Sequence, residues 1–406
     1  MLAGIIVARW LGAESVGRLA SLNVMTLLVI TFGGVGMPSA ITYLIARDRG
    51  QMKAVVHNAV IFAATAGTLL AFAVVVLRSA KPDLFGDIPV ELVTIAAAAL
   101  PFQMLTLYCL AAFLGLGDIN WYNILDLLSQ GFLFINPFIF VFILGLGLVV
   151  LVSANTASTA VLSLLMLPVL FRSSKVQQTN SGGSIMAEML RYGSKFYIAM
   201  ASSVIILRAD LLLVNYFRGS SEAGVYAVAS QVGTLLMLIP GVISTVLFPR
   251  VTQARDTSAD MTCRVTQRTT LIMLLVCLAV IPAAFLLPVL YGPAFANVPL
   301  LVLLLLPGVY LLGIEAVQVQ YFSSLGLPKA IPAFWIAALI VSLTLDLIFI
   351  PVYGAYAAAA VSSLSYTLMF VLVAVYFRSQ TLKPFSEAFI IRNFEIRGLI
   401  GGISKR

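Results

Sequence analysis

One run constrains this chain more than any other. From Lys195 to Phe217 the sequence KFYIAMASSVIILRADLLLVNYF is apolar apart from small polar groups and two internal charges, Arg208 and Asp210. At about 1.5 Å per residue, a helix of this length crosses the roughly 30 Å hydrocarbon core of a bilayer. Arg208 and Asp210 then fall roughly 20 Å along it, slightly past the midplane, where each costs about 2.5–3.5 kcal/mol on insertion scales. Residues i and i+2 lie about 200° apart around a helix, so the two cannot simply pair with each other. Each needs its own partner, in a protein interior or a wet cavity.

Composition extends this reading to the whole chain. With 61% hydrophobic and 10% charged residues, against roughly 45–50% and 25% in soluble chains, the protein is all-α and polytopic. The net charge of +8 sits in short segments between apolar runs rather than on one polar face, which argues against a nucleic-acid partner and for a topology signal. Cys109, Cys263, Cys277 and the lone His57 form no metal-ligand spacing or disulfide framework, so no metal and no cofactor are expected. No phosphate-loop motif occurs, and GGVG at 33–36 follows no strand, so it reads as a helix-packing patch.

Helices are expected near 19–45, 55–77, 91–114, 123–144, 148–171, 194–217, 224–248, 268–290, 297–323, 330–351 and 355–377. Residues 1–8 cover only about 12 Å before Arg9, so the first span reads as truncated, giving about eleven full spans and one partial. MLAGIIVAR lacks a basic leader and a small-residue cleavage site, and is not a signal peptide. Sorting Lys and Arg by side, 18 of the 24 collect on one face and 5 on the other, with Arg208 inside the membrane. The positive-inside rule places both termini in the cytoplasm.

A repeat divides the chain. Gly12, Gly17 and Ala20 recur 207 residues on as Gly219, Gly224 and Ala227, and Leu100-Pro101 recurs as Leu306-Pro307. The expected organisation is an amino-terminal lobe at 1–171 (helices 1–6), a cytoplasmic linker at 172–193, a carboxyl-terminal lobe at 194–377 (helices 7–12) and a basic cytoplasmic tail at 378–406. An even helix count per half makes these two parallel six-helix lobes, with a central cavity expected between them.

Several polar residues within the spans are candidates for function. Glu315 and Gln318 share a face of the tenth helix, and Asp126 and Asp346 lie nearer helix ends, where they can reach for water. Ser153, Thr156, Thr159 and Ser163 form a stripe that lines a cavity or, more simply, joins helices. Pro240-Gly241 and Pro307-Gly308 are sites where helices can bend. His57 reads as a loop residue at the cytoplasmic start of a helix.

Three blocks carry a resemblance: ARWLGAESVGRLASLNVMTLLVITFGGVGMPSAITYLIAR, RADLLLVNYFRGSSEAGVYAVASQVGTLLMLIPGVISTVLFPR and LLPGVYLLGIEAVQVQYFSSLGLPKAIPAFW. They are similar to bacterial polysaccharide exporters, the Wzx-type O-antigen flippases of the multidrug/oligosaccharidyl-lipid/polysaccharide exporter superfamily. The resemblance implies a transporter, not an enzyme. It would move undecaprenyl-pyrophosphate-linked oligosaccharide across the bacterial inner membrane by alternating access, in contact with membrane lipids and with other polysaccharide-assembly proteins. A pyrophosphate head needs a cation in place of water, and a guanidinium can bind two phosphate oxygens. Arg208 is the first choice, its alternative being a structural role that bridges helices through Asp210 of a neighbouring conformation or through Glu315, with Arg18, Arg9 and Gln318 as further substrate contacts. Asp210, Glu315 and Asp346 are the candidates for ion coupling or for lining the cavity. They would be the carriers under the alternative reading, a drug or cation antiporter. A glycan polymerase or ligase needs a large outer loop with catalytic groups, and 78–90 carries only Asp83 and Asp87.

Overall fold

The computed structural model describes residues 1–173, 185–254, 259–324, 326 and 328–384, and every regular element among them is helical. In chain order these are α1 (Leu2–Gly33), α2 (Met37–Arg47), α3 (Met52–Ala80), α4 (Val90–Ala98), α5 (Leu100–Leu116), α6 (Ile119–Asn136, running into a π-helical turn, Pro137–Ile143), α7 (Leu148–Ser173) and α8 (Ile185–Arg218). Next come α9 (Ser220–Leu236), α10 (Leu238–Ala254), α11 (Asp260–Ala284), α12 (Leu287–Tyr291), α13 (Val298–Ser324), α14 (Ala330–Tyr353) and α15 (Ala355–Thr381).

Several helices expected to be continuous are broken, and proline explains two of the breaks. A proline lacks the N–H that would bond the carbonyl four residues back and clashes with it. Pro101 therefore separates α4 from α5, and Pro240 separates α9, which ends at Leu236, from α10. The expected 19–45 helix is the second limb of α1 plus α2. The first limb carries Arg9 and Trp10 and bends at Gly12, whose φ of 79° is non-helical. Of the expected 172–193 linker, 185–193 is already helix in α8, and 174–184 lies outside the described residues. Most of the expected tail, 385–406, lies outside them too. Among the described residues ten helices are long and apolar enough to cross a membrane, Leu2–Gly33 among them. Their outer faces leave large apolar side chains uncovered, including Leu69, Phe72, Leu127, Val242 and Val289. Such a surface fits lipid and not water.

The chain divides into two compact units, Met1–Ala227 and Val228–Arg406. In the first, α5 is the most enclosed helix and buries Leu100, Met104, Tyr108 and Phe113 among α2, α3 and α7. In the second, α13 has that role, burying Leu301, Leu305, Val309 and Leu312 among α10, α11 and α15. The repeated Leu-Pro pair thus falls on the central helix of each unit. The repeated glycines also have corresponding structural roles. Gly12 and Gly219 both adopt positive φ, 79° and 85°, where chain direction changes before a helix. Within the first unit Gly17 and Gly224 face each other: a β-carbon on Gly17 would overlap the Ser220 carbonyl oxygen and lie 2.7 Å from the Gly224 nitrogen, and one on Gly224 would overlap the Ala13 carbonyl oxygen and lie 2.9 Å from the Gly17 nitrogen. Only glycine lets two helix backbones approach this closely.

Candidate functional site

α8 carries the polar pair. Asp210 is 4% exposed, and its partner comes from α9: the Tyr226 hydroxyl, itself 1% exposed, donates to Oδ2, while Oδ1 accepts the Leu211 backbone N–H at 2.7 Å. Arg208 is half-buried, about 15 Å of helix from the Arg218 end, and makes no hydrogen bond or ion pair among the described residues. The expectation that Arg208 and Asp210 need separate partners is met for Asp210, through Tyr226. Arg208 is thus a cation in an apolar run with no acceptor among the described residues.

A second polar group gathers where α8 gives way to α9. Arg18 pairs with Glu14 one turn back, and with Asp87 at 3.6 Å. Asp87 accepts from both the backbone N–H (3.1 Å) and the hydroxyl of Ser220. The same hydroxyl lies 2.8 Å from Asn215 Oδ1, and the Asn215 amide donates to the Phe85 carbonyl at 3.2 Å. These bonds tie α1, the 82–88 segment, α8 and α9 together beside the Gly17–Gly224 crossing. Arg18, expected as a substrate contact, is held here between two carboxylates, Glu14 and Asp87. Arg9 is exposed on the first limb of α1.

α1, α2 and α8 also meet at the opposite end of α8. Arg47 pairs with Glu188 at 2.8 Å, Tyr43 stacks on Tyr192 with ring centroids 4.1 Å apart, and the Tyr197 hydroxyl donates to the Phe32 carbonyl at 3.0 Å. Glu188 and then the Tyr43 hydroxyl favour the charged form of the Arg47 guanidinium, which needs no such help to stay protonated.

The carboxyl-terminal unit holds the other candidates. Glu315 is 3% exposed and its Oε1 has no hydrogen-bond partner; Gln318 is fully buried with neither amide atom bonded. Asp346 does not reach for water as expected: it is buried within α14 and accepts the Ser342 hydroxyl at 3.3 Å. Glu315 lines a cavity of about 510 Å³ with Ser244 and Thr245 of α10, Gln320 of α13 and Trp335 of α14.

Three smaller readings change or narrow. His57 is not a loop residue but an exposed position in the second turn of α3. In the α7 stripe, Ser153, Thr159 and Ser163 bond back to their own helix and only Thr156 reaches another, donating to the Ile95 carbonyl at 3.3 Å. That face is joined more firmly by Asn136, which donates to Asn155 and Ser158. The residues that sequence reasoning missed are Tyr226, Ser220 and Asn215. Tyr226 belongs to the GVY that follows R-x-D in the second quoted block, its one available signal.

A helical chain with an uncovered apolar surface, helices broken at proline and glycine, and charged or amide groups buried within its spans defines a multi-pass membrane protein. Solved structures of that class match it over nearly their full length. An inward-facing multidrug-resistance MATE family transporter of the MOP superfamily aligns over 94% of this chain and 93% of its own, with a TM-score of 0.79 at 17% identity. The lipid II flippase MurJ, in an inward closed conformation, aligns over 94% and 87%, with a TM-score of 0.77 at 14% identity. The MATE multidrug transporter DinF-BH aligns over 94% and 92%, with a TM-score of 0.68 at 16% identity. At such identities the likeness is one of fold. The chain belongs to the polysaccharide biosynthesis protein family, whose model matches residues 1–255. Comparison with curated proteins yields no match.

Proposed function

We propose that this protein carries a lipid-linked oligosaccharide of the O-antigen type from the inner to the outer leaflet of the bacterial inner membrane, by alternating access and with both termini cytoplasmic. The observation that carries this reading is Arg208, a half-buried cation on α8 with no protein partner among the described residues, while its acidic neighbour Asp210 is engaged by Tyr226. A cation left open in an apolar run suits a ligand that brings negative charge, and a pyrophosphate can accept both arms of a guanidinium fork. The sugars would be carried through protein while the polyprenyl tail stays in lipid, because hydroxyls and phosphates cannot enter hydrocarbon without replacement partners. Membership of the polysaccharide biosynthesis family supports the substrate class.

Binding tests this directly. Purified full-length protein should bind a short-chain polyprenyl pyrophosphate, and Arg208→Ala should weaken that binding at least tenfold, in keeping with a charge-assisted contact of about 1.5–3 kcal/mol. Arg208→Lys should be intermediate, keeping the charge and losing the fork. Equal binding by all three proteins would remove Arg208 from the site.

A further inference from the structure

The cavity of the carboxyl-terminal unit, about 510 Å³ in volume, lies within the size range of small-molecule sites and is lined from α10, α13 and α14. Its polar groups are mixed in kind. Glu315 is 3% exposed and its Oε1 has no hydrogen-bond partner. Ser244 donates its hydroxyl to the Ala316 carbonyl at 3.0 Å and Thr245 to the Gly241 carbonyl at 2.9 Å, which leaves both with oxygen lone pairs. Gln320 gives one amide N–H to the Ala316 carbonyl at 3.3 Å and keeps a second N–H and its carbonyl oxygen. The Trp335 indole N–H has no acceptor among the described residues. One turn along α13 from Glu315, Gln318 is fully buried with its amide nitrogen and oxygen both unbonded, so the unmet demand on this helix is for donors and acceptors alike.

This mixture discriminates between ligand classes. A cation would leave the Gln320 and Trp335 N–H groups without an acceptor, and an anion would sit against the Glu315 carboxyl. A hydrocarbon chain would satisfy none of the polar groups. A sugar answers all of them, because each hydroxyl both donates and accepts, and the C–H face of a pyranose ring packs on an indole whose π face is negative. Glu315 suits a hydroxyl in either protonation state: it accepts when ionised, and donates as well when it holds a proton. Met237 and Val319 add apolar surface for the ring carbons.

We propose that this cavity is a sugar subsite, holding an uncharged pyranose unit of the carried glycan stacked on Trp335 and hydrogen-bonded by Glu315 and Gln320. The inference rests on the reading of the protein as an oligosaccharide carrier, and adds to it a place where the glycan, as distinct from the pyrophosphate, is held. The site belongs to the Val228–Arg406 unit. Glu315 lies nine residues, roughly 13 Å of helix, from the Ser324 end of α13, which is the cytoplasmic end under the proposed topology. The subsite therefore lies in the half of the membrane from which the cargo departs.

The chain has three tryptophans, Trp10, Trp121 and Trp335, so Trp10→Phe with Trp121→Phe leaves a single reporter on the cavity wall. The full-length protein in nanodiscs would be titrated with the methyl glycosides of glucose, galactose, N-acetylglucosamine and rhamnose, and with sorbitol, an open-chain polyol that has hydroxyls but no ring face. At least one glycoside should give a saturable change in Trp335 emission, and sorbitol none. Glu315→Gln keeps an oxygen acceptor and should retain the response, while Glu315→Leu and Gln320→Leu should each weaken it at least tenfold. In parallel, the effective glycoside should raise the melting temperature of the unmodified protein, since a ligand that binds only the folded state stabilises it. This arm does not depend on any variant folding. No saturable response to any of the glycosides, an equal response to sorbitol, or an unaltered response in both leucine variants would overturn the proposal. Polyprenyl pyrophosphate binding, measured on the same preparation, separates the two readings. Arg208-dependent binding without a glycoside response removes the sugar subsite alone, whereas a glycoside response without that binding removes Arg208 and leaves the subsite standing.

Discussion

The Tyr226 hydroxyl of α9 donates to the Asp210 carboxyl of α8, two residues along the helix from Arg208. The bond gives the acidic charge inside the α8 run a partner, while Arg208 has none among the described residues.

The bond should therefore matter for stability. Tyr226→Phe keeps the ring and removes the donor, leaving a buried carboxyl oxygen short of a partner at a cost of about 1–3 kcal/mol. The melting temperature of the purified protein should fall. Asp210→Asn should be milder, because the amide oxygen can still accept from Tyr226. An unchanged melting temperature in Tyr226→Phe would show that the bond carries no net stability.

The glycine crossing gives a steric prediction. Gly17→Ala and Gly224→Ala each place a methyl group inside the opposing backbone, beyond the adjustment that a flexible side chain allows. Each should cost about 3 kcal/mol or more and sharply reduce the amount of folded protein in the membrane. Since both disrupt the same crossing, the double variant should be less severe than the sum of the two. Wild-type levels in either single variant would contradict the packing.

The cluster around Asp87 should be coupled rather than additive. A double-mutant cycle of Asp87→Ala and Ser220→Ala, read by thermal unfolding, should return an interaction of about 0.5–3 kcal/mol. A value near zero would reduce the Asp87–Ser220 contact to coincidence.

Much of the architecture can be read in the sequence because a bilayer enforces long apolar runs, and the 207-residue offset placed Gly12 and Gly219 at corresponding turns. The periodicity of α8 also required that Arg208 and Asp210 part company. The identity of the partners was not legible. Ser220 meets Asp87 across 133 residues of sequence, and hydropathy does not say which helices become neighbours. Distance from a helix end misled for Asp346, because burial depends on what packs alongside and Ser342 supplies its bond within α14. Continuous helices were expected across Pro101 and Pro240, since tertiary context and not the residue alone decides whether a proline bends a helix or ends it.

Topology can be tested without reference to substrate. In a background lacking Cys109, Cys263 and Cys277, Ser174→Cys and Ser258→Cys should resist an impermeant thiol reagent in intact cells, and Asp83→Cys should react. The asymmetry of 18 basic residues against 5 predicts this pattern. Labelling of Ser174→Cys from outside would invert the map.

The measurement that bears most directly on the central claim is surface glycan in cells that depend on this protein for export, with Arg208→Ala, Arg208→Lys and Asp210→Asn compared at matched protein levels. Resistance to lipophilic cations would be recorded alongside. Replacing an arginine inside an apolar run by alanine eases membrane insertion, so loss of glycan could not be ascribed to failed insertion. The account predicts at least a tenfold fall for Arg208→Ala, a smaller one for Arg208→Lys and little change for Asp210→Asn. Normal surface glycan in Arg208→Ala would contradict it, and loss of cation resistance in Asp210→Asn with glycan untouched would make the protein a cation antiporter instead.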